Sequence, residues 1–279
     1  MWSLAFTVAL AFVAPERQFA RHAPVRSAIV ASTAAKPLSS RDTGLALALD
    51  DGTRKAHSLA ENTQFVTGFF SGISTRESFA ALVSSVYFVY EAMEDEFGKS
   101  EDANVKALDY PELRRMPALD LDMEFFYGPS WRETVRPTAA TRLYVARIRE
   151  IARSQPLLLV GHQYTRYLGD LFGGQMMGGM ARRSLALPDG LGTSFYTFDQ
   201  IPEAKVFIEG WYSKLNDLPL SPSEKQMIVD EANRVFSLNI ALFDELDGSP
   251  LRALWALAVR ALAEFDAQFA RDWEARRGN

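Results

Sequence analysis

The sequence predicts an all-α fold in a single domain, and three observations lead to this prediction. Apolar residues recur every three to four positions from residue 41 onward, which is the helical period. Helix-start and helix-stop residues, above all Pro and Gly, divide the pattern into segments of ordinary helix length. No stretch alternates polar and apolar residues for longer than 193–198, and no internal repeat is present.

Each predicted helix follows from a local pattern. Leu45, Leu49 and Leu59 recur on one face of segment 41–67. The next helix begins at residues 74–77 (STRE), an N-cap with an acid in the first turn, and ends near Gly98. The other predicted helices are 110–115, 119–126, 137–153, 156–171, 202–216, 221–245 and 249–273, with a loop at 188–192.

The composition narrows the class of protein. The chain has 279 residues, 48% of them hydrophobic, with no Cys. This excludes disulfides, thiolate nucleophiles, iron–sulfur clusters and cysteine-ligated zinc. Three histidines, His22, His57 and His162, are few for a multi-histidine metal site. A net charge of −5 lacks the basic signature of nucleic-acid-binding proteins, so no nucleic-acid partner is expected.

The first forty residues differ in composition from the rest. Residues 4–14 are almost all apolar, too short to span a bilayer but suited to a signal-peptide core. Residues 16–40 carry four basic residues and one acid among many Ala and Ser, as organelle transit peptides do. The two together predict a leader for a plastid (the chloroplast stroma) reached through the secretory route. The alternative is a disordered tail with a chance apolar run.

The chain is therefore divided into a targeting leader (1–40), a helical domain (41–248) and an extra amphipathic C-terminal helix (249–279). Arg252 and Arg260 interrupt the apolar face of that last helix, so no transmembrane span is predicted for the mature chain. Such a face most often packs on its own domain, and the alternative is a partner or a membrane surface.

Two features of the domain need more than helix packing. His57 has Glu61 one helical turn later, although a lone helical histidine is structural or solvated more often than it is a ligand. Residues 169–174 (GDLFGG) place glycines in an apolar helical run, and each costs about 1 kcal/mol relative to Ala. Such a cluster indicates a backbone that approaches something large and flat, or that bends. Asp170 among these glycines could deliver protons through water.

A third feature is the apolar face of segment 221–245. Phe236, Asn239 and Phe243 recur at helical spacing near its end. They could wall a cavity, and the simpler interpretation is that they belong to the core.

Together these residues resemble the heme oxygenases over about 44–248. Residues 57–62 (HSLAEN) are similar to the family's proximal helix. Residues 161–171 (GHQYTRYLGDL) and 173–175 (GGQ) are similar to its distal-helix signature, in which the run YTRYLGD is highly specific. The most similar form is the soluble, ferredoxin-dependent enzyme of photosynthetic organisms.

The resemblance implies a helical fold with heme held between a proximal and a distal helix. His57 would be the only metal ligand, and Glu61 would orient its imidazole. Gly169 and Gly173 would let the distal backbone lie close to the heme. The implied proton-delivery residues are Asp170, Tyr90 and Arg166, and the other implied heme contacts are Tyr164, Thr165, Phe236, Asn239 and Phe243.

The implied activity is the oxidative cleavage of heme to biliverdin, carbon monoxide and ferrous iron. Heme would be both substrate and cofactor, O2 the oxidant and reduced ferredoxin the electron donor. The implied partners are ferredoxin and a downstream bilin reductase that would use the product for pigment synthesis.

Several positions depart from the family pattern. The basic residues that usually hold the heme propionates fall on Asp50, Ile208 and Tyr212 by ungapped alignment. Phe172 stands where a small serine is usual, and residues 178–179 replace a paired-lysine site. The cations that could compensate are Arg54, Lys55, Lys205 and Lys214.

The sequence therefore leaves two functions open. One is an active heme oxygenase, and the other is a related protein that has lost turnover and binds a tetrapyrrole or a protein partner. An all-α scaffold without a ligand leaves the distal glycines unexplained.

Overall fold

The computed structural model describes residues 39–70 and 75–246, so the predicted 249–279 helix and nearly all of the predicted leader lie outside the described residues. Every regular element in these two ranges is helical, which confirms the all-α prediction. In chain order the α-helices are α1 (Gly44–Glu61), α2 (Gln64–Phe70), α3 (Arg76–Lys99), α4 (Ala103–Ala107), α5 (Met116–Tyr127), α6 (Trp131–Thr134), α7 (Ala139–Ser154), α8 (Leu159–His162), α9 (Gln175–Ser184), α10 (Ala204–Asn216) and α11 (Pro222–Leu246).

Side-chain caps begin the two longest helices. At the start of α3, the hydroxyl of Thr75 accepts the backbone N–H of Ser78, and the Ser78 hydroxyl accepts the Thr75 N–H, each at 3.1 Å. Before α11, the Glu224 carboxylate accepts the Ser221 N–H at 2.8 Å, and the Ser221 hydroxyl accepts the Glu224 N–H at 3.3 Å. Each capping box satisfies backbone donors that the first turn leaves unpaired, and a cap stabilises by about 1 kcal/mol.

The core is built around α3 and α11. Helix α3 buries large apolar side chains such as Phe79, Met93 and Phe97, and it packs on α5 and α7. Helix α11 packs on α1 and on α8. Gly161 allows the second approach, because a Cβ at this position would lie only 3.2 Å from the backbone of α11 at Ile228 and Ala232. Helices α1 and α8 are thereby held against the same long helix.

The structure differs from the predicted elements where tight turns replace α-helix. Segment 41–67 divides into a 3₁₀ turn (Ser40–Asp42), α1 and the start of α2, and segment 110–115 contains only the 3₁₀ turn Pro111–Leu113. Residues 193–198 form a 3₁₀ turn and no strand. The helices α4 and α6 were not predicted, because five and four residues are too few to show a period.

The largest difference concerns the predicted helix 156–171, which runs on to Ser184. Residues 159–184, here called the distal segment, consist of α8, two π-helical stretches (Gln163–Leu168 and Asp170–Gly174) and α9. In π-helical turns each N–H pairs five residues back, a rare geometry that is frequent at functional sites. The irregularity that the glycines indicated therefore includes a change of helix type.

Candidate active site

His57 lies on α1, at the edge of the core. Its side chain is 30% exposed, and its ring meets the Phe236 ring edge-on with centroids 5.5 Å apart. The Oε2 of Glu61 lies 3.4 Å from the Nδ1 of His57. A carboxylate there favours the tautomer with the proton on Nδ1, so Nε2 carries the lone pair that a metal ion requires. The predicted pairing of these two residues is present.

Asp170 forms the centre of a polar cluster on the distal segment. Its Oδ2 accepts the hydroxyl of Tyr90 at 2.5 Å and the Nη2 of Arg166 at 2.9 Å. The Nη1 of Arg166 donates to the side-chain oxygen of Asn239 at 3.0 Å, and Asn239 in turn donates to the Val235 carbonyl. Four residues that the sequence singled out are thus joined by direct hydrogen bonds.

The surroundings of this cluster suit a proton donor. Burial raises the pKa of Asp170, and this effect outweighs the Arg166 charge and the Tyr90 hydrogen bond, which favour the carboxylate. Burial also raises the pKa of Tyr90 well above its usual value, and the Asp170 charge adds to the rise. Tyr90 therefore keeps its proton, and the Asp170 carboxyl retains one to higher pH than a solvated aspartate does.

The glycines of the distal segment lie on two faces of it, one open and one packed against the protein. A Cβ added at Gly169 or at Gly173 would meet no heavy atom within 4 Å, so this face is open. Phe172 and Met176 continue it and are 42% and 56% exposed. Gly174 and Gly178 instead pack closely against a tyrosine of the following loop. A flat neighbour therefore stays a prediction for the open face, whereas Gly174 and Gly178 are filled by a side chain of the chain itself.

Helix α11 contacts both the histidine helix and the polar cluster of the distal segment. Phe236 contacts His57, and Asn239, three residues later, binds Arg166. One turn further, Phe243 stacks on Phe65 with parallel rings 5.6 Å apart. One face of one helix therefore touches the histidine helix and the distal segment.

The remaining predicted contacts, Thr165 and Tyr164, interact with residues of α8 and α1 respectively. The Thr165 side chain is buried, and its hydroxyl donates to the Gly161 carbonyl at 2.9 Å. Burial raises the pKa of Tyr164, and the Asp50 charge adds to the rise. The Thr53 side chain and the Arg41 charge oppose it.

The three positions that are basic in the family pattern but not here lie on α1 (Asp50) and on α10 (Ile208 and Tyr212). Asp50 forms an ion pair with Arg41 from the 3₁₀ turn, and Arg54 lies 3.6 Å from the same carboxylate. Ile208 and Tyr212 are both buried in the core. Sequence reasoning missed Arg41, because a turn that folds back on a helix leaves no periodic pattern.

A second histidine cluster lies inside the domain. His162 is fully buried, and its Nε2 lies 3.2 Å from the Oε1 of Glu231. Arg147 donates to both oxygens of that carboxylate, at 3.0 and 2.5 Å. His162 is therefore committed to a buried ion-pair cluster, and His57 is the more accessible of the two described histidines. No group of three or more acidic or histidine side chains within 39–70 and 75–246 could hold a metal ion.

These residues fit a heme. One half-exposed imidazole suits a single axial ligand, and the open glycine face with Phe172 and Met176 suits a flat apolar ring. The buried Nε of Arg166 has no hydrogen-bond partner in the described part of the chain, and a buried polar atom of this kind usually binds water or a ligand.

The fold and the site together define a class: all-α proteins in which a histidine helix and a glycine-interrupted helix with a carboxylate lie beside one wall. The sequence model of the heme oxygenase family matches residues 43–245. Heme oxygenase 1 of Synechocystis sp. is 42% identical over 225 residues, covering 80% of this chain and 93% of the relative. Heme oxygenase of Pyropia yezoensis is 42% identical over 226 residues, covering 81% and 95%.

A solved structure agrees with these relatives. The crystal structure of the Synechocystis heme oxygenase-1 in complex with heme superposes with a TM-score of 0.72, covering 79% of this chain and all of that one. The chain belongs to the heme oxygenase family. No helix in the two described ranges combines the length and the apolar character that crossing a bilayer requires.

Proposed function

We propose that this chain is an active heme oxygenase that converts heme to biliverdin, carbon monoxide and ferrous iron. O2 is the oxidant and reduced ferredoxin supplies the electrons. The observation that carries the proposal is the Asp170 cluster, in which a carboxyl of raised pKa holds the Tyr90 hydroxyl and the Arg166 guanidinium beside an open glycine face.

When bound, heme supplies the iron that activates O2 and the ring carbon that is oxidised. His57 would hold the iron through Nε2, and Glu61 would fix the orientation of the imidazole through Nδ1. Phe236 limits the rotation of the His57 imidazole by its edge contact. These three residues set the position of the imidazole but take no part in proton transfer.

The distal residues supply protons. Asp170 holds an ordered water by its carboxyl and passes a proton to it. The Tyr90 hydrogen bond and the Arg166 charge stabilise the carboxylate that remains, and solvent returns the proton. Arg166 keeps the carboxyl in place and binds Asn239 on α11. Gly169 and Gly173 leave room for the water and the ring on the same side.

The cellular setting is part of the proposal. The composition of residues 1–40 supports a plastid address, and relatives occur in Synechocystis sp. and Pyropia yezoensis. Ferredoxin is then the electron donor, and a bilin reductase consumes the biliverdin.

A second candidate is a tetrapyrrole-binding protein without turnover, favoured by the non-basic Asp50, Ile208 and Tyr212. Arg41 weakens this alternative, because it brings a cation to Asp50. The two functions differ in outcome: a Soret band without biliverdin formation under reductant supports the second, and biliverdin formation supports the first.

The first experiment mixes the full chain with hemin and records the Soret band, then adds O2 with either reduced ferredoxin or ascorbate. His57→Ala should lose the histidine-ligated ferric spectrum and turnover, and added imidazole should partly restore both. His162→Gln, which removes the other described histidine, should keep the spectrum. An unchanged spectrum in His57→Ala would exclude the ligand assignment.

A second variant separates proton delivery from binding. Asp170→Asn should keep the hemin affinity within about threefold, because no proposed heme contact is lost, while the biliverdin yield falls at least about tenfold. Asp51→Asn, an exposed acid on α1, is the matched control and should leave both unchanged. A normal biliverdin yield in Asp170→Asn contradicts the proton role.

A further inference from the structure

The loop after α9 lies on the closed face of the distal segment. Its Tyr196 is only 7% exposed. A Cβ added at Gly174 would lie 2.9 Å from the Cδ1 of Tyr196, and one added at Gly178 would lie 2.8 Å from its Cβ. Such distances are shorter than real Cβ contacts, so these two positions accept only glycine while Tyr196 stays in place.

Two buried charged side chains fix the loop on either side of Tyr196. The Asp122 carboxylate, fully buried, accepts the backbone N–H groups of Ser194 and Phe195 at 2.9 and 2.8 Å. The Nη1 of Arg115 donates to the carbonyls of Phe195 and Thr197, the latter at 2.6 Å. The backbone that carries Tyr196 is thus held from α5 and from the residue that precedes it.

The contact falls where the helix changes type. Gly174 ends the π-helical stretch that begins at Asp170, and Gly178 lies one turn further, in α9. The Cβ of Asp170 lies 3.7 Å from the site of a Gly174 Cβ, so Asp170, Gly174 and Tyr196 are immediate neighbours. A π-helical turn has unusual hydrogen bonding and persists only where its surroundings support it.

We propose that Tyr196 is a positioning residue for Asp170. Its ring lies against Gly174 and Gly178 and holds the π-helical turn in the geometry that keeps the Asp170 carboxyl on Tyr90 and Arg166. The inference rests on the proposed function in one respect, because it assigns a purpose to the position of Asp170.

The atoms in contact show which part of Tyr196 acts. The glycine positions face Cβ, Cγ and the ring carbons Cδ1, Cδ2 and Cε1, not the hydroxyl. Tyr196→Phe preserves all of these contacts, and Tyr196→Ala removes the ring. Gly174→Ala pushes the same ring away from the other side. The phenylalanine variant is therefore the matched control for the ring's role.

The first test measures hydrogen exchange in the heme-free full chain. In Tyr196→Ala the backbone amides of 168–178 should exchange about tenfold faster, or more, while those of α7 stay unchanged. Tyr196→Phe should match the native chain, and in the hemin complex it should keep the native biliverdin yield while Tyr196→Ala loses most of it. Exchange within about twofold of native in Tyr196→Ala overturns the proposal.

The second test is a double-mutant cycle on the same amides. If the ring and Gly174 act through their contact, Gly174→Ala should accelerate amide exchange in the native chain. In the Tyr196→Ala background the same substitution should raise the exchange rate by less than about twofold. Independent, multiplicative effects overturn the proposal. Should Tyr196→Ala not fold, Tyr196→Leu takes its place in the cycle.

The outcomes also separate this inference from the proposed function. A normal biliverdin yield in Asp170→Asn refutes the proton role but leaves the coupling between Tyr196 and Gly174 intact. Absence of that coupling refutes the positioning role and leaves the Asp170 result unaffected.

Discussion

The buried carboxylate of Glu231 joins three helices, and its removal should weaken the whole domain. Glu231, on α11, is 3% exposed. It binds Arg147 of α7 through both oxygens and lies 3.2 Å from the ring of His162 at the end of α8. Glu231→Gln keeps the volume and removes the charge, so that the two Arg147 hydrogen bonds to this carboxylate are replaced by one neutral amide oxygen.

The expected loss of unfolding free energy is about 3 kcal/mol. Breaking a buried ion pair on one side costs about 3–5 kcal/mol, and the value falls at the low end because Arg147 also reaches the exposed Glu150 at 3.0 Å. A second route gives the same size. Burial raises the pKa of Glu231, but the hydrogen bonds and charges of His162 and Arg147 lower it by more, so that the pKa falls from 4.5 to about 2. This shift corresponds to about 3 kcal/mol of stabilisation at neutral pH.

Urea unfolding and thermal unfolding of the full chain at pH 7 measure this loss. For a domain of this size we expect the midpoint temperature of Glu231→Gln to fall by about 6–12 °C. Glu150→Gln removes the other acid that contacts the same arginine, but Glu150 is 62% exposed, so its loss should stay below about 1 kcal/mol.

The pH dependence has a definite sign. Because folding lowers the pKa of Glu231, its stabilisation is complete above the ordinary value of 4.5 and is lost as the pH falls toward about 2. The difference between the native chain and Glu231→Gln should therefore shrink between pH 5 and pH 3. Equal losses in Glu231→Gln and Glu150→Gln at pH 7, or a difference that grows in acid, would refute this reasoning.

Further outcomes are expected from four single substitutions. Gly161→Ala should destabilise by about 1–3 kcal/mol in urea, because its Cβ meets the α11 backbone, whereas Gly98→Ala, with open space around it, should stabilise by about 0.5–1 kcal/mol. Thr138→Ala removes the cap that accepts the Thr141 N–H and should cost about 1 kcal/mol by the same assay. Asp50→Asn should tighten hemin binding about two- to fivefold in a spectroscopic titration, because it removes a partly exposed negative charge beside Arg41, and unchanged affinity would place the heme carboxylates elsewhere.

Periodicity predicted most of the fold because the buried residues of an amphipathic helix recur every three to four positions in the sequence. The buried residues of α3 and of α11 follow this pattern. The π-helical stretches leave no such record, since Gln163–Leu168 contains ordinary helix-forming and aromatic residues. Only the glycines of Asp170–Gly174 indicated an irregularity, and they did not specify its kind.

The site was predictable where its members share one helix. Arg166 and Asp170 lie four residues apart, so their ion pair follows from helical geometry. Tyr90 lies 80 residues away from Asp170, and only the resemblance to a known family connected the two. Neither route suggested Tyr196, because close packing of a ring on two glycines depends on a loop whose path is set by Asp122 and Arg115.

The shared face of α11 has a consequence for how this molecule can vary. Phe236 and Asn239 are three residues apart, so the rigid rise of the helix separates the two contacts by about 4.5 Å along its axis. A small rotation of α11 about its axis displaces both contacts together, one at His57 and the other at Arg166. A substitution on this helix that rotates it would therefore shift the His57 imidazole and the Arg166–Asp170 pair at the same time, so the two cannot vary independently of each other.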